Sequence, residues 1–356
     1  MTKYSILFVI LALLSCDVPQ NENYELDKKV GKASVDGAQV EVVSGLGVIK
    51  NIEPGKLEIH QSAPQIELVI DPGKSGISAW QIVLSNSVRN TYALSDDSVT
   101  ILSENQNGIK YSLECEVPVN KKISIYFKNT EEDPVFAVFS DVQRAVSEVS
   151  DIFEVINSDD DLQFVLSTGD LTSNGTKSEI KRFIKELEYL AVPLYTTMGN
   201  HDSFDSQYKY WHQVFGRTSF RFVYRDTLFV FLDSSSGALY HELYDDLEGW
   251  LGLSDGLKIV LTHYPIVDPS GTRGGSFSSR NEAYKLLSLL GENGTDLLLF
   301  GHIHSYYKYT LAGIDCRISG GGGAMPEKYD GIGRHYLKIE VDPDNEKYTI
   351  VRVDID

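Results

Sequence analysis

From about residue 31 to 130 the chain runs in short alternating or β-branched stretches separated by Gly, Pro, Asn and Asp. These are Gln65 to Ile70, Trp80 to Leu84, Val99 to Leu102, Ile109 to Val117 and Ile123 to Phe127. No helical periodicity of any length interrupts them, and the pattern predicts a small antiparallel β-sandwich over residues 31–130. In Ile109 to Val117 the apolar half is Ile109, Tyr111, Leu113, Cys115 and Val117, against Lys110, Ser112, Glu114 and Glu116. That alternation places Cys115 in a core. A charged, Pro-terminated stretch, Lys128 to Pro134, then marks a junction.

Beyond the junction, residues 134–356 change rhythm to strand, polar cluster, helix. Val135 to Phe139 is a continuous apolar run, as expected of a strand buried on both faces, and ends in Ser140-Asp141-Val142-Gln143. Val142, Ala145, Val146, Val149, Ile152, Phe153 and Ile156 follow at helical spacing. Phe164 to Thr168 ends in Gly169-Asp170, and Ile180, Phe183, Ile184, Leu187 and Leu190 mark the next helix. Val192 to Met198 ends in Gly199-Asn200-His201-Asp202; Leu228 to Leu232 runs into Asp233; Lys258 to Leu261 runs into Thr262-His263; Leu297 to Phe300 runs into Gly301-His302-Ile303-His304. Every polar cluster falls where a buried strand ends, the edge at which α/β sheets bind ligands.

Composition bounds the reading. The 356 residues suggest two folded units, and 42% apolar with 23% charged content suits real cores rather than a disordered chain. With 51 acidic against 32 basic residues the net charge is −19, which argues against a nucleic-acid scaffold or an anionic-membrane binder. Three Cys cannot make a disulfide framework, and Cys316 falls in the other domain from Cys115. Lys3 is the only charge before the apolar run Ile6 to Leu14, which is too short to span a bilayer but suits a secretory signal. Its end, Leu13-Leu14-Ser15-Cys16, is similar to a bacterial lipobox, in which the Cys is diacylated and becomes the mature N-terminus. Residues 1–15 thus read as a lipoprotein signal peptide, Cys16 as the lipidation site and residues 16–30 as a polar tether. An ordinary cleaved signal and a retained anchor are the alternatives. The expected location is the cell envelope, periplasmic or cell-surface, with membrane contact through the lipid anchor only.

The clusters carry a recognisable chemistry. Asp141, Gln143, Asp170, Asn200, His263, His302 and His304 supply carboxylate, amide oxygen and imidazole, a set suited to hard or borderline divalent cations. Seven ligands are too many for one ion that must keep an open position; they suit two ions sharing a carboxylate. The order Asp-x-(His or Gln), Gly-Asp, Gly-Asn-His-Asp, His, Gly-His-x-His resembles the calcineurin-like metallophosphoesterase superfamily. The resemblance covers about residues 134 to 356 and not the N-terminal domain. It implies a four-layer αββα sandwich with two divalent ions at the sheet edge. Asp141, Gln143 and His304 would hold one ion, Asn200, His263 and His302 the other, and Asp170 would bridge them. It implies phosphoester hydrolysis by a hydroxide held between the ions. His201 would serve the transition-state charge or the leaving oxygen, with Asp202 either holding its tautomer or capping the segment that follows.

Gln143 departs from the commoner His. As a neutral, harder oxygen donor it favours Mn²⁺, Fe or Mg²⁺ over Zn²⁺. The Asp-x-Gln form is similar to that of manganese-dependent ADP-ribose/CDP-alcohol diphosphatases within the superfamily. This tilts the expected small phosphorylated substrate toward a phosphodiester or nucleotide diphosphate rather than a phosphomonoester. The alternative is a catalytically silent surface lipoprotein that binds glycan or protein. Asn174, Arg273 and Arg280 are candidates to reach a phosphate oxygen, with solvated loop positions as the plainer reading. Tyr306 and Tyr307 suit either stacking on a substrate or strand packing. The run Gly320 to Gly323 lacks the Lys-Ser or Lys-Thr of a P-loop and is expected to let the backbone pass close to the site.

Overall fold

The computed structural model describes residues 19–204, 208–271 and 274–355. The signal-like run and Cys16 lie outside the described residues, as does Arg273. The chain opens with a helix, α1 (Pro19–Asp27), where the sequence reading expected a tether. Ten strands follow: β1 (Lys32–Val35), β2 (Ala38–Val42), β3 (Gly47–Glu53), β4 (Lys56–Gln61), β5 (Ile66–Asp71), β6 (Ala79–Ser85), β7 (Thr91–Ser95), β8 (Thr100–Asn107), β9 (Lys110–Glu116) and β10 (Ile123–Asn129). They form two five-stranded sheets, β1-β2-β5-β10-β7 and β3-β4-β6-β9-β8, closed over a core that includes Leu68, Ile82, Leu113, Cys115 and Phe127. The sandwich is not wholly antiparallel, because β4 and β6 pair in parallel. The chain between them crosses to the other sheet as β5 and returns in the same direction.

The remaining elements are β11 (Val135–Phe139), α2 (Val149–Asn157), β12 (Phe164–Ser167), α3 (Lys177–Leu187), β13 (Leu194–Thr196), α4 (Tyr208–Val214), β14 (Phe220–Tyr224), β15 (Thr227–Leu232), α5 (Leu243–Leu251), β16 (Lys258–Thr262), α6 (Arg280–Glu292), β17 (Leu297–Phe300), β18 (Tyr306–Leu311), β19 (Ile314–Ser319), β20 (His335–Asp342) and β21 (Lys347–Asp354). They build two sheets, β13-β12-β11-β20-β21 and β14-β15-β16-β17-β19-β18. The continuous apolar runs are explained by burial on both faces. In β15, Phe229 and Phe231 point between the sheets while Leu228, Val230 and Leu232 face α5 and α6. The first sheet packs α2, α3 and α4 through Ala137, Phe139 and Val165. The four layers are therefore helix, sheet, sheet, helix, as the motif order implied. Between the sheets Phe136 stacks on Phe164 at 5.4 Å and Phe220 on Phe231 at 4.3 Å. Burying one such ring is worth about 2 to 3 kcal/mol.

Two local expectations change. The segment expected to be helical from Val142 begins as a 3-10 stretch, Gln143–Glu148, kinked at Ala145, and becomes α-helical only at Val149. The kink follows from the backbone around Asp141, described below. The expected tether is replaced by α1 because two of its polar residues are buried anchors rather than solvated. Asn23 donates to Asp233 Oδ2 at 2.8 Å, and Asp27 accepts from the amides of Thr218 and Ser219 at 2.8 and 2.9 Å. His212 Nε2 lies 2.9 Å from Asp27 Oδ1. The sandwich also docks on the second domain, where Asn86 pairs with both the N–H and the carbonyl of Leu194, covering part of the β13 edge. Among the described residues no helix is long and apolar enough to cross a membrane.

Candidate metal centre

All seven expected ligands converge at the carboxyl ends of β11, β12, β16 and β17 and the loop after β13. Asp170 stands at the middle. Its Oδ1 accepts the backbone N–H of His201 at 2.8 Å, and its Oδ2 lies 3.0 Å from Gln143 Nε2 and 3.4 Å from His263 Nε2. On one side Gln143 Nε2 is 3.2 Å from His304 Nε2, which is 3.4 Å from Asp141 Oδ1. On the other side Asn200 Oδ1 is 3.0 Å from both His263 Nε2 and His302 Nδ1.

The imidazoles are aimed by their second nitrogens. His263 Nδ1 donates to the Thr168 carbonyl at 3.0 Å and His304 Nδ1 to the Met325 carbonyl at 2.8 Å. A carbonyl has no proton to give, so each Nδ1 carries a hydrogen and Nε2 is the ring atom left facing inward, the one that would ligate an ion. Tyr264 lies tilted over His302 with ring centroids 3.9 Å apart and so fixes that ring's plane.

The backbone is bent to bring these groups together. Asp141, Gln143, Asp170 and His302 all sit in the left-handed region, at φ of 63°, 47°, 56° and 67°. Each such non-glycine residue costs about 1 to 3 kcal/mol, and the surrounding hydrogen bonds hold it there. Asp141 N bonds Gly169 O at 3.1 Å, Gln143 N bonds Asp170 O at 3.1 Å, and Ala324 N bonds Asp141 O at 2.8 Å. Gly199 is required because a Cβ would run into the Asp170 carboxylate. Gly322 is required because its backbone passes against the Ser140 carbonyl, to which its N–H donates at 2.7 Å. The glycine run thus does bring the backbone close to the site, and Tyr306 and Tyr307 begin the neighbouring strand β18.

The donor set fits divalent cations. Neighbouring ligand atoms 3.0 to 3.4 Å apart are the spacing that bonds of about 2.1 Å give in octahedral and tetrahedral shells. Asp141, Asp170 and His263 are all buried, with ligand atoms within 4.8 Å of one another, and could hold a metal. Among the described residues the buried Oδ1 of Asp141 has no hydrogen-bond donor. Burial alone would raise the Asp141 carboxyl, but His304, His263 and Ser140 hold it well below the usual range. Burial likewise works against charge on His263, yet Asp170, Asp141 and Asp202 push it up to about 9. The pocket is one that attracts positive charge.

One expectation is corrected. Asp202 does not touch His201. It is buried beneath the loop, where Oδ1 accepts from Thr172 N and Oγ1 at 2.9 and 2.8 Å and Oδ2 from Gly199 N and Leu171 N at 3.1 and 3.2 Å. Burial and the charge of Asp170 push its carboxyl up to about 7. His201 is instead oriented by the Ser173 carbonyl, 2.7 Å from Nδ1. A backbone carbonyl leaves no trace in residue identity, so Ser173 could not be found from the sequence; Ser140, whose hydroxyl donates to Asp141, is visible only as its neighbour. Asn174 is exposed and its amide donates to Glu179 at 3.1 Å, beside the capping box of α3. Arg280 begins α6, exposed, lining a cavity of about 320 Å³ with Phe277 and Tyr284. Gln143 presents its amide nitrogen to the centre; a half-turn of the amide puts Oε1 in the same place.

A centre of this composition at the strand ends of an αββα sandwich defines a metallophosphoesterase. Residues 134–306 match the family model described as calcineurin-like phosphoesterase, and this domain belongs to that family. A purple acid phosphatase from yellow lupin seeds shares the fold at 14% identity and a TM-score of 0.52, over 82% of this chain and 72% of that one. That span is more than the catalytic domain alone supplies. The GAP50 anchor of the Plasmodium inner membrane complex aligns at 17% identity and a TM-score of 0.45, over 63% of this chain and 89% of that one. A putative 5'-nucleotidase from Staphylococcus aureus aligns at 14% identity and a TM-score of 0.43, over 63% and 54%. No curated sequence is a significant match to the chain.

Proposed function

We propose that the chain is a metal-dependent phosphoester hydrolase of the cell envelope, acting on a phosphodiester or nucleotide diphosphate in preference to a phosphomonoester. The observation that carries this is the position of Asp170 Oδ2, 3.0 to 3.4 Å from a member of each donor set. Asp141, Gln143 and His304 would hold one divalent ion, Asn200, His263 and His302 a second, and Asp170 both. When bound, such ions neutralise phosphoryl oxygens and lower the pKa of water. The chain's own residues do the positioning. Asp202 ties the 170–172 loop to Gly199 and keeps Asp170 and Asn200 in register. His201, with Nδ1 committed to Ser173, offers Nε2 to a phosphoryl oxygen or a leaving group. The hydrogen bonds around Asp141, Asp170 and His263 pre-set the geometry, which is where phosphoryl transfer gains most. Cys16, outside the described residues, would anchor the protein by acylation.

Gln143 standing where the commoner residue is His favours the second reading, a silent binding lipoprotein, and one experiment separates the two. The chain from Asp17 onward, supplied with Mn²⁺, is expected to hydrolyse bis-p-nitrophenyl phosphate and ADP-ribose faster than p-nitrophenyl phosphate. No turnover of any of them, with no metal retained by elemental analysis, would sink the hydrolase reading. Replacing Gln143 by His puts imidazole at the first set and is expected to raise the zinc-to-manganese activity ratio by about tenfold. An unchanged metal profile would contradict a ligand role for this side chain.

A further inference from the structure

A groove of about 590 Å³ lies where α1, β1, β3 and α4 meet, away from the metal centre. Lys29, Lys32, Lys50 and Lys209 line it, and no acidic side chain does among the described residues. In a chain of net charge −19 this is a local reversal of sign. Its floor is apolar, built by Leu26, Val30, Val48 and Val214. The basic surface continues onto α3, where Lys177 lies over the Tyr210 ring at 4.8 Å. Lys181 stands one turn further along, on the face that carries Ile184 to the groove. Two of the lysines have protein partners: Lys32 faces Glu41 at 3.7 Å in an exposed pair, and Lys50 donates to the Gln213 carbonyl at 2.6 Å. Lys29 and Lys209 are exposed, with no ion pair among the described residues.

We propose that this groove rests on an anionic bilayer, its lysines meeting lipid phosphates while Val30, Val48 and Val214 stay buried beneath them. Charge complementarity is the first argument. Exposed ammonium groups attract an anionic surface within a Debye length of about 8 Å, so a local basic face binds even on an acidic protein. The second is reach. Leu26, Lys29 and Val30 lie at the C-terminal end of α1, and Cys16 is three residues before its start. Three extended residues and the seven-residue rise from Pro19 to Leu26 together span at most about 20 Å. A diacylated Cys16 and this groove could therefore share one bilayer surface, the acyl chains supplying attachment and the groove orientation. Because α1 is pinned to the catalytic domain through Asn23 and Asp27, that contact would fix the domain's orientation.

The test needs neither acylation nor catalysis. The chain from Asp17 onward keeps every described element. It is sedimented with neutral phosphatidylcholine vesicles and with vesicles holding about 30% phosphatidylglycerol, at low salt and at about 0.5 M NaCl. Partition onto the anionic vesicles is expected to be at least about tenfold stronger and to collapse at high salt. Lys29→Glu with Lys209→Glu is expected to remove that preference by a further factor of about ten, with circular dichroism and hydrolase activity unchanged. Equal partition onto both vesicles, or a double variant that binds as well as the parent, would overturn the proposal. Displacement by millimolar inorganic phosphate at constant ionic strength would overturn it in favour of a soluble phosphate ligand.

Discussion

Asp170→Asn is expected to lower kcat by about a thousandfold or more and to strip bound metal, while leaving the fold intact. The substitution keeps shape and volume. An amide oxygen at Oδ1 can still accept the His201 N–H at 2.8 Å, so the loop after β13 keeps its place. The change falls on Oδ2. An amide nitrogen there would be a donor pointed at Gln143 Nε2 and His263 Nε2, 3.0 and 3.4 Å away, and would have no charge to share between the two donor sets. It would also withdraw a main support of the positive charge on His263. Metal content by elemental analysis, turnover with Mn²⁺ and far-UV circular dichroism read the three consequences separately. Activity within tenfold of the parent with metal retained would show that the two sets do not depend on a shared carboxylate.

Asp27→Ala is expected to cost about 3 kcal/mol and to release α1 from the catalytic domain. The carboxylate is 3% exposed and accepts the Thr218 and Ser219 amides as well as the Thr218 hydroxyl at 3.2 Å. Truncation leaves two buried amides without this acceptor. The helix is also held by Asn23 on Asp233 and by Tyr24, whose hydroxyl donates to Asp246 at 2.8 Å and whose ring lies 5.0 Å from that of Tyr240. Hydrogen exchange over residues 22–27 is expected to speed up, most at its C-terminal end, and the urea midpoint to fall. Release would also withdraw Asn23 from Asp233 and Met198, two residues before Asn200, so turnover should drop by less than the loss of a ligand would cause. Unchanged exchange protection in α1 would mean that the helix is held by something other than this carboxylate.

Much of the catalytic domain was legible in the sequence because two-sided burial writes a continuous apolar run. β11, β15, β16 and β17 fall on such runs, each closely followed by a polar residue that the sheet edge then exposes. The ligand set was legible for the same reason: residues one step beyond a buried strand must emerge at that edge. Backbone partners were not. Ser173, Thr168 and Met325 act through their carbonyls, and any residue supplies one. Asp202 illustrates the opposite failure, since adjacency in Asn-His-Asp invites a pairing that the left-handed bends around Asp170 do not permit.

By itself, then, the sequence determined which strands are buried, the order in which chemistry leaves them, and an overall excess of acid. Only the tertiary structure decided which nitrogen of each imidazole faces inward, that polar anchors fold α1 onto the catalytic domain, and that Lys29, Lys50 and Lys209 share one groove. The reason is physical. Periodicity is a property of neighbours along the chain, whereas a hydrogen-bond partner or a local field is set by groups that folding brings within a few ångströms from as far as 210 residues away.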